Sequence, residues 1–187
     1  MRPDPLRQPE FHLRTFAELD ARTLHDLLRL RIDVFVVEQH CPYPELDGRD
    51  VEPGTRHLWL ARDGVPVAYL RLLTEPGEQT GSAGEEYATA GEVIRIGRVV
   101  VAREARGGGL ANRLMTEALA VVGDRPCVLA AQSHLVGFYA RHGFVPSGPE
   151  YVEDGIPHVP MRRPAPARPD RATDRHRTGA HPARRDA

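Results

Sequence analysis

The stretch Arg106-Gly107-Gly108-Gly109-Leu110-Ala111 sets three consecutive glycines beside a cation. It opens onto Leu110, Leu114, Ala118 and Val122, whose four-residue spacing predicts an amphipathic helix. Before it stands Val99-Val100-Val101, a β-branched run that reads as the end of a strand. A strand that runs through a glycine loop into a helix gathers unpaired backbone N–H groups and the positive end of the helix dipole at one point, which is an anion site. Glycines at these positions remove the side chains that would keep a diphosphate away, and Arg106 adds positive charge. The alternative is a loop that needs glycine only for its turn; the flanking strand and helix weigh against it.

Residue types exclude other chemistry. All 25 basic residues are Arg, so the chain has neither the Lys of a Walker-type phosphate loop nor a Lys for a pyridoxal Schiff base. A dinucleotide fingerprint fails at its third glycine, where Asn112 stands, and it would be expected after the first strand rather than deep in the chain. Cys41 follows His40 as a thiol nucleophile might require, but Pro42 comes next and no oxyanion loop is evident. His57 and His158 stand alone, so no metal site is expected. Cys41 and Cys127 are too far apart for a metal knuckle and are read as thiols.

The elements that must position these residues belong to one domain, since 187 residues can bury a single sizeable core. No stretch approaches the roughly 18 apolar residues of a membrane span, and the opening MRPDPLRQPE has no apolar run, so the reading is cytoplasmic with no membrane partner. Residues 162–187 hold eight Arg against three Asp and lack large apolar side chains. Such a segment cannot offset its ordering entropy, so 163–187 is read as a disordered tail, 1–9 as a flexible N-terminus and 10–162 as the domain. Nucleic acid is not expected as a partner; a homodimer is compatible with the sequence.

A short strand is predicted over 10–14, then a helix capped by Asp20 and running to about Gln39, with Leu24, Leu27, Leu28, Ile32 and Phe35 on its apolar face. Arg31 and Glu38 fall on that same face. A hairpin follows, His57 to Arg62 and Val65 to Leu73, turning at Asp63-Gly64. Residues 75–91 read as a surface insertion, and Glu92 to Ala102 as a long strand in which Gly97 marks a bulge or a close approach. Cys127 to Ala131 reads as a buried strand. Ser133 begins a helix with Leu135, Phe138, Tyr139 and His142 inward, and Phe144 to Val152 and Ile156 to Met161 close the chain as a strand pair. The class is α/β with a mixed sheet and no internal repeat.

Arg106-x-x-Gly109-x-Ala111 after the valine run resembles the acetyl-CoA motif, Q/R-x-x-G-x-G/A, of the GNAT N-acetyltransferase superfamily. Leu135-Val136-Gly137-Phe138-Tyr139 followed by Gly143-Phe144 resembles its second motif, in which a tyrosine faces the thioester sulfur. More narrowly, Arg31, Val34-Phe35-Val36-Val37-Glu38-Gln39, Cys41-Pro42-Tyr43, Asp47-Gly48 and Asp154-Gly155-Ile156-Pro157-His158 resemble the ElaA group of that superfamily. One departure is Gln132, which stands where many members have asparagine seven residues before the tyrosine.

The resemblance implies a mixed, mostly antiparallel sheet flanked by helices, with strands 4 and 5 splayed around acetyl-CoA as cosubstrate and no metal. Backbone groups of Val99, Val100 and Val101 would pair with the pantetheine arm, those of Arg106, Gly107, Gly108, Gly109, Leu110 and Ala111 would bind the pyrophosphate, and Gln132 would contact the arm. Tyr139 would protonate the leaving thiolate, the alternative being a core tyrosine. Direct attack by an amine needs a base, for which Glu38, Asp47, Asp50, Glu92 and His134 are candidates. Glu38 is favoured because a carboxylate on an apolar helix face needs a reason to be there; the alternative is an ion pair with Arg31 or Arg71. The acceptor pocket is expected at the end of the first helix and the following loop, with Arg31, Tyr43, Asp47, Asp50 and His134 binding substrate and the carboxylates drawing an ammonium group. Two other readings stay open: an acyl-homoserine-lactone synthase, whose N-terminal region Arg31 to Gln39 also resembles, and a CoA-binding regulatory module without catalysis.

Overall fold

The computed structural model describes residues 8–77 and 91–165. The N-terminus expected to be flexible, the expected insertion and the expected tail lie almost wholly outside the described residues. Strand β1 (Glu10–Arg14) leads to Asp20, which caps the first helix by accepting the Thr23 N–H at 2.8 Å. Helix α1 is Ala21–Ile32, and the chain then continues as one wider π turn, Asp33–Glu38. The buried stripe is Leu27, Leu30, Arg31 and Val34, while Leu24, Leu28, Ile32 and Phe35 are half-buried. In a straight helix, seven residues return to within about 20° of the same face. The π turn breaks that phase, so Glu38 leaves the face of Arg31.

Strands β2 (Arg56–Arg62) and β3 (Val65–Pro76) form the expected hairpin. Its turn, Asp63 with φ 50° and Gly64 with φ 76°, has the two positive angles of a type I′ turn. From Pro66 to Leu73 every β3 residue is buried, because helices cover both faces. Arg31 lies over the Tyr69 ring at 5.5 Å, which puts α1 on the face that carries Tyr69 and Arg71. Helix α2 (Leu110–Val122) packs on β2, β3 and β4 through Leu114, Met115 and Ala118, each wholly buried.

Among the described residues the sheet has eight strands, with β1-β2-β3-β4-β5-β8-β6 along one path and β7 also pairing with β8. All pairs are antiparallel except β4 (Glu92–Val101) with β5 (Cys127–Gln132). These two share only the pairs Ile94↔Cys127 and Arg95↔Val128 before they diverge, giving the splayed strands the resemblance implied. On its other side β4 carries a bulge. Tyr69 faces Val100 but Arg71 faces Gly97, and Arg98 takes a φ of 55°. The bulge thus falls one residue past the glycine that signalled it.

Residues 133–140 form a 3₁₀ turn, Ser133–Leu135, and a short helix α3, Val136–Ala140. The single strand expected over 144–152 is two, β6 (Val145–Pro146) and β7 (Tyr151–Glu153), because Pro146 and Pro149 have no N–H for a ladder. Strand β8 (Ile156–Arg163) runs along β5 and pairs Arg163 with Cys127. Among the described residues no helix is long and apolar enough to cross a membrane.

Candidate active site

Where β4 and β5 diverge, the backbone of β4 after Arg95 has no strand partner on that side, and a cavity of about 670 Å³ opens. Gly97, Arg98 and Val99 of β4, Gln132 of β5 and Tyr139 of α3 all line it. Unpaired backbone N–H and C=O groups at such an edge require a partner, and an extended amide-bearing arm can supply one. At the far end of β4 the chain passes through the glycine loop into α2. Gly109 takes φ 76° as the residue before the helix, and a side chain on it would meet nothing within 4 Å. Gly109 gives the first N–H groups of α2 no side-chain cap, which leaves them for a diphosphate.

Tyr139 is buried, with Phe138 and Phe144 edge-on at 5.0 and 6.2 Å. Burial pushes its phenol up to about 12, so it keeps its proton at neutral pH. Its hydroxyl makes no hydrogen bond among the described residues. Gln132 Nε2 donates to Gln39 Oε1 at 3.1 Å and so ties β5 to the end of the π turn across the cavity.

Three arginines and three carboxylates meet beside this cavity. Arg31 donates Nε to Glu45, Nη1 to Asp50 at 2.9 Å and Nη2 to the Glu45 carbonyl at 3.1 Å. Arg71 holds Asp47 with both terminal nitrogens at 2.8 and 2.5 Å and reaches Asp50 at 2.8 Å. Arg98 lies 2.8 Å from Glu45 and 3.3 Å from Asp47. Tyr43 donates its hydroxyl to Glu45. Burial pushes the Asp47 carboxyl up, but Arg71, the Arg49 backbone N–H and Arg98 outweigh it and hold it well below the usual carboxylate range. Asp50 is likewise lowered, by Arg31 and Arg71 against burial.

The residues expected to bind substrate are thus divided. Tyr43 and Asp47 line the cavity, whereas Arg31, 1% exposed, and Asp50, 7% exposed, lie buried behind it, and His134 is exposed away from it. Glu38 lines a different cavity, of about 440 Å³, beside Val34, Val37 and Arg103. Its ion-pair partners are neither Arg31 nor Arg71. Arg106 donates to it from Nη1 at 2.6 Å and Nη2 at 3.0 Å, and Arg103 from Nε at 3.5 Å. The acidic wall of Glu38, Asp47 and Asp50 read from the sequence is not one wall, and none of the three offers an unpaired charge. Arg98 and Glu45 escaped the sequence reading of this region because Arg31 and Arg98 reach Glu45 from 14 and 53 residues away, while Arg71, named only as a partner for Glu38, instead holds Asp47 and Asp50.

A family model described as an acetyltransferase (GNAT) domain matches residues 31–164, most of the chain. The chain belongs to the GNAT family. This GNAT domain is 52% identical over 155 residues to a UPF0039 protein of Mycobacterium tuberculosis, covering 82% of this chain and 92% of that one. It is 38% identical over 151 residues to the Escherichia coli protein ElaA, with 79% and 91% covered, which bears out the narrower resemblance. The crystal structure of E. coli ElaA superposes with a TM-score of 0.72 over 83% of this chain and 99% of that one. An acyl-CoA N-acyltransferase from Pseudomonas aeruginosa, 43% identical, superposes with a TM-score of 0.70 over 82% and 99%. Membership supports an acyl-CoA-dependent N-acyltransferase with an amine acceptor.

The ion pair on Arg106 changes what Glu38→Gln should do to this GNAT domain. Removing the carboxylate frees a guanidinium beside the glycine loop and takes a negative charge from its neighbourhood. Coenzyme A should bind about two- to fivefold more tightly, the range set by an exposed ion pair, and the gain should fade in high salt. Titration calorimetry in low and high salt reads this directly; weaker binding, or a slowed turnover at unchanged affinity, would instead favour Glu38 as a base.

Proposed function

We propose that this protein moves an acetyl group from acetyl-CoA to the amine of a small molecule or peptide by direct attack. The observation that carries the reading is the open edge of β4 where it parts from β5. The unpaired β4 edge leads at one end to the glycine N-terminus of α2, and Tyr139 lines the same cavity from the β5 side. Backbone groups of Val99 to Val101 pair with the pantetheine arm, and those of Arg106 to Ala111 hold the pyrophosphate. Gln132 steadies the arm, and Tyr139 gives its proton to the leaving thiolate. The acceptor enters beside Tyr43 and Asp47.

Free-thiol release from acetyl-CoA across polyamines, amino sugars, amino acids and peptide N-termini tests the activity. Turnover with at least one class is expected. Coenzyme binding without thiol release for any of them would favour a regulatory module, and lactone product would favour the synthase reading. The pyrophosphate assignment has its own test in Gly109→Asp and Gly109→Asn. Both carry nearly the same strain at this left-handed position, where Asp and Asn are the tolerated side chains. Only Asp adds an anion. Coenzyme A at 100 times its dissociation constant stabilises a native state by about 2.7 kcal/mol. Gly109→Asn should keep most of the resulting thermal shift and Gly109→Asp should lose most of it; equal shifts would remove the diphosphate from this loop.

A further inference from the structure

Direct attack needs a proton acceptor at the cavity that holds Tyr139, and the candidates read from the sequence are committed or lie away from it. Asp47 is clasped by Arg71 and Arg98, and Glu38 sits on Arg106 in another cavity. Asp50 is buried between Arg31 and Arg71, and Glu92 and His134 are exposed away from the cavity. One imidazole does line it, that of His158. This residue lies on β8 opposite Gln132 of β5, and its ring lines the same chamber as the phenol of Tyr139 on α3.

The ring's protonation pattern follows from its contacts. His158 Nδ1 lies 2.8 Å from the backbone oxygen of Ile156. A carbonyl oxygen can only accept, so Nδ1 carries the hydrogen and the lone pair of the neutral ring falls on Nε2. The Tyr151 ring, 5.9 Å away and tilted by 30°, packs against the imidazole from β7. The charged and titratable groups that share the chamber are Asp47, Glu153 and Asp154, the guanidinium groups of Arg49, Arg71, Arg95 and Arg98, the Cys41 thiol and the phenols of Tyr43, Tyr139 and Tyr151.

We propose that His158 is the catalytic base of the reaction, taking protons from the acceptor nitrogen at Nε2. The inference rests on the acyl-transfer reading above. The ring first relieves the acceptor ammonium of one proton and passes it to solvent. The freed nitrogen lone pair forms a C–N bond at the thioester carbonyl carbon, and the C–S bond breaks as the tetrahedral intermediate collapses. The nitrogen sheds a second proton to Nε2, while Tyr139 protonates the departing thiolate and is itself reprotonated from the imidazolium through water. Ammonium and thioester thereby become amide, thiol and one released proton.

The test compares wild type, His158→Ala and His158→Asn with acetyl-CoA and the amine that gives the fastest wild-type thiol release in the panel above. His158→Ala should lower kcat by about 10²- to 10⁴-fold. It should leave the KM for acetyl-CoA and the coenzyme A thermal shift unchanged, and it should lack the acid limb of the wild-type pH profile. Added imidazole should restore part of the rate, above that of imidazole without enzyme. His158→Asn retains a side-chain N–H for the Ile156 carbonyl and so guards against a disturbed strand; it should fold and stay slow. An Asn variant as fast as wild type, or an Ala variant with an unaltered pH profile, overturns the base. A wild type that binds coenzyme A but releases no thiol with any amine overturns the acyl-transfer reading and the base with it.

Discussion

Tyr139→Phe is expected to slow turnover about 10²- to 10⁴-fold, the usual contribution of a positioned acid, and to leave the melting temperature and coenzyme A affinity at wild-type values. The fold should survive because the ring, not the hydroxyl, makes the packing. Phe138 and Phe144 meet Tyr139 edge-on, and nothing among the described residues hydrogen-bonds its oxygen. Catalysis should suffer because burial keeps the phenol protonated at neutral pH, which is the state a thiolate leaving group needs. Steady-state thiol release with a saturating amine measures the loss. Wild-type turnover in the variant would make Tyr139 a core residue and move the acid elsewhere.

The second large effect is on stability. Arg31→Met should cost about 3–5 kcal/mol, the range seen when one partner of a buried ion pair is removed, and lower the melting temperature by roughly 6–20 °C. Arg31 is 1% exposed and serves two carboxylates and a carbonyl, so its loss leaves Glu45 and Asp50 buried without that partner. Urea unfolding at neutral pH reads the difference. The same cluster fixes the response to acid. Asp47 and Asp50 have folded-state pKa values below their unfolded ones, so the unfolded chain binds more protons and stability rises with pH. Their contribution is full above the unfolded aspartate value of about 3.9 and fades as pH falls below it. Arg31→Met should flatten that acid dependence; a loss under 1 kcal/mol with the slope intact would show that Arg71 and Arg98 suffice to neutralise the cluster.

Local patterns carried much of this fold. The hairpin at Asp63-Gly64, the Asp20 cap and the helix after Gly109 each depend on residues within a few positions of one another. The splay of β4 from β5 was legible only through the family motifs, since no periodicity encodes two strands parting. The π turn left no mark either, because Asp33–Glu38 still alternates like a continuing helix, yet it decides that Glu38 meets Arg106 and not Arg31. The arginine and carboxylate cluster was half visible. Its acids are crowded into residues 45–50, but Arg31, Arg71 and Arg98 come from three separate elements, and only folding shows that they neutralise those acids. For His158, the deciding fact is the Ile156 carbonyl next to Nδ1, a matter of backbone geometry at the start of β8.

The two shared pairs between β4 and β5 also govern how the molecule would come apart. On one side lie β1 to β4, joined by long ladders; on the other, β5 carries β8 and its short neighbours. Among the ladders that join the longer strands this is the thinnest, so local opening along it should cost little. Whatever lies across both strands and bonds to each acts as a clasp on this seam. The lifetime of the folded chain is then tied to the supply of that molecule, whether or not it is being consumed.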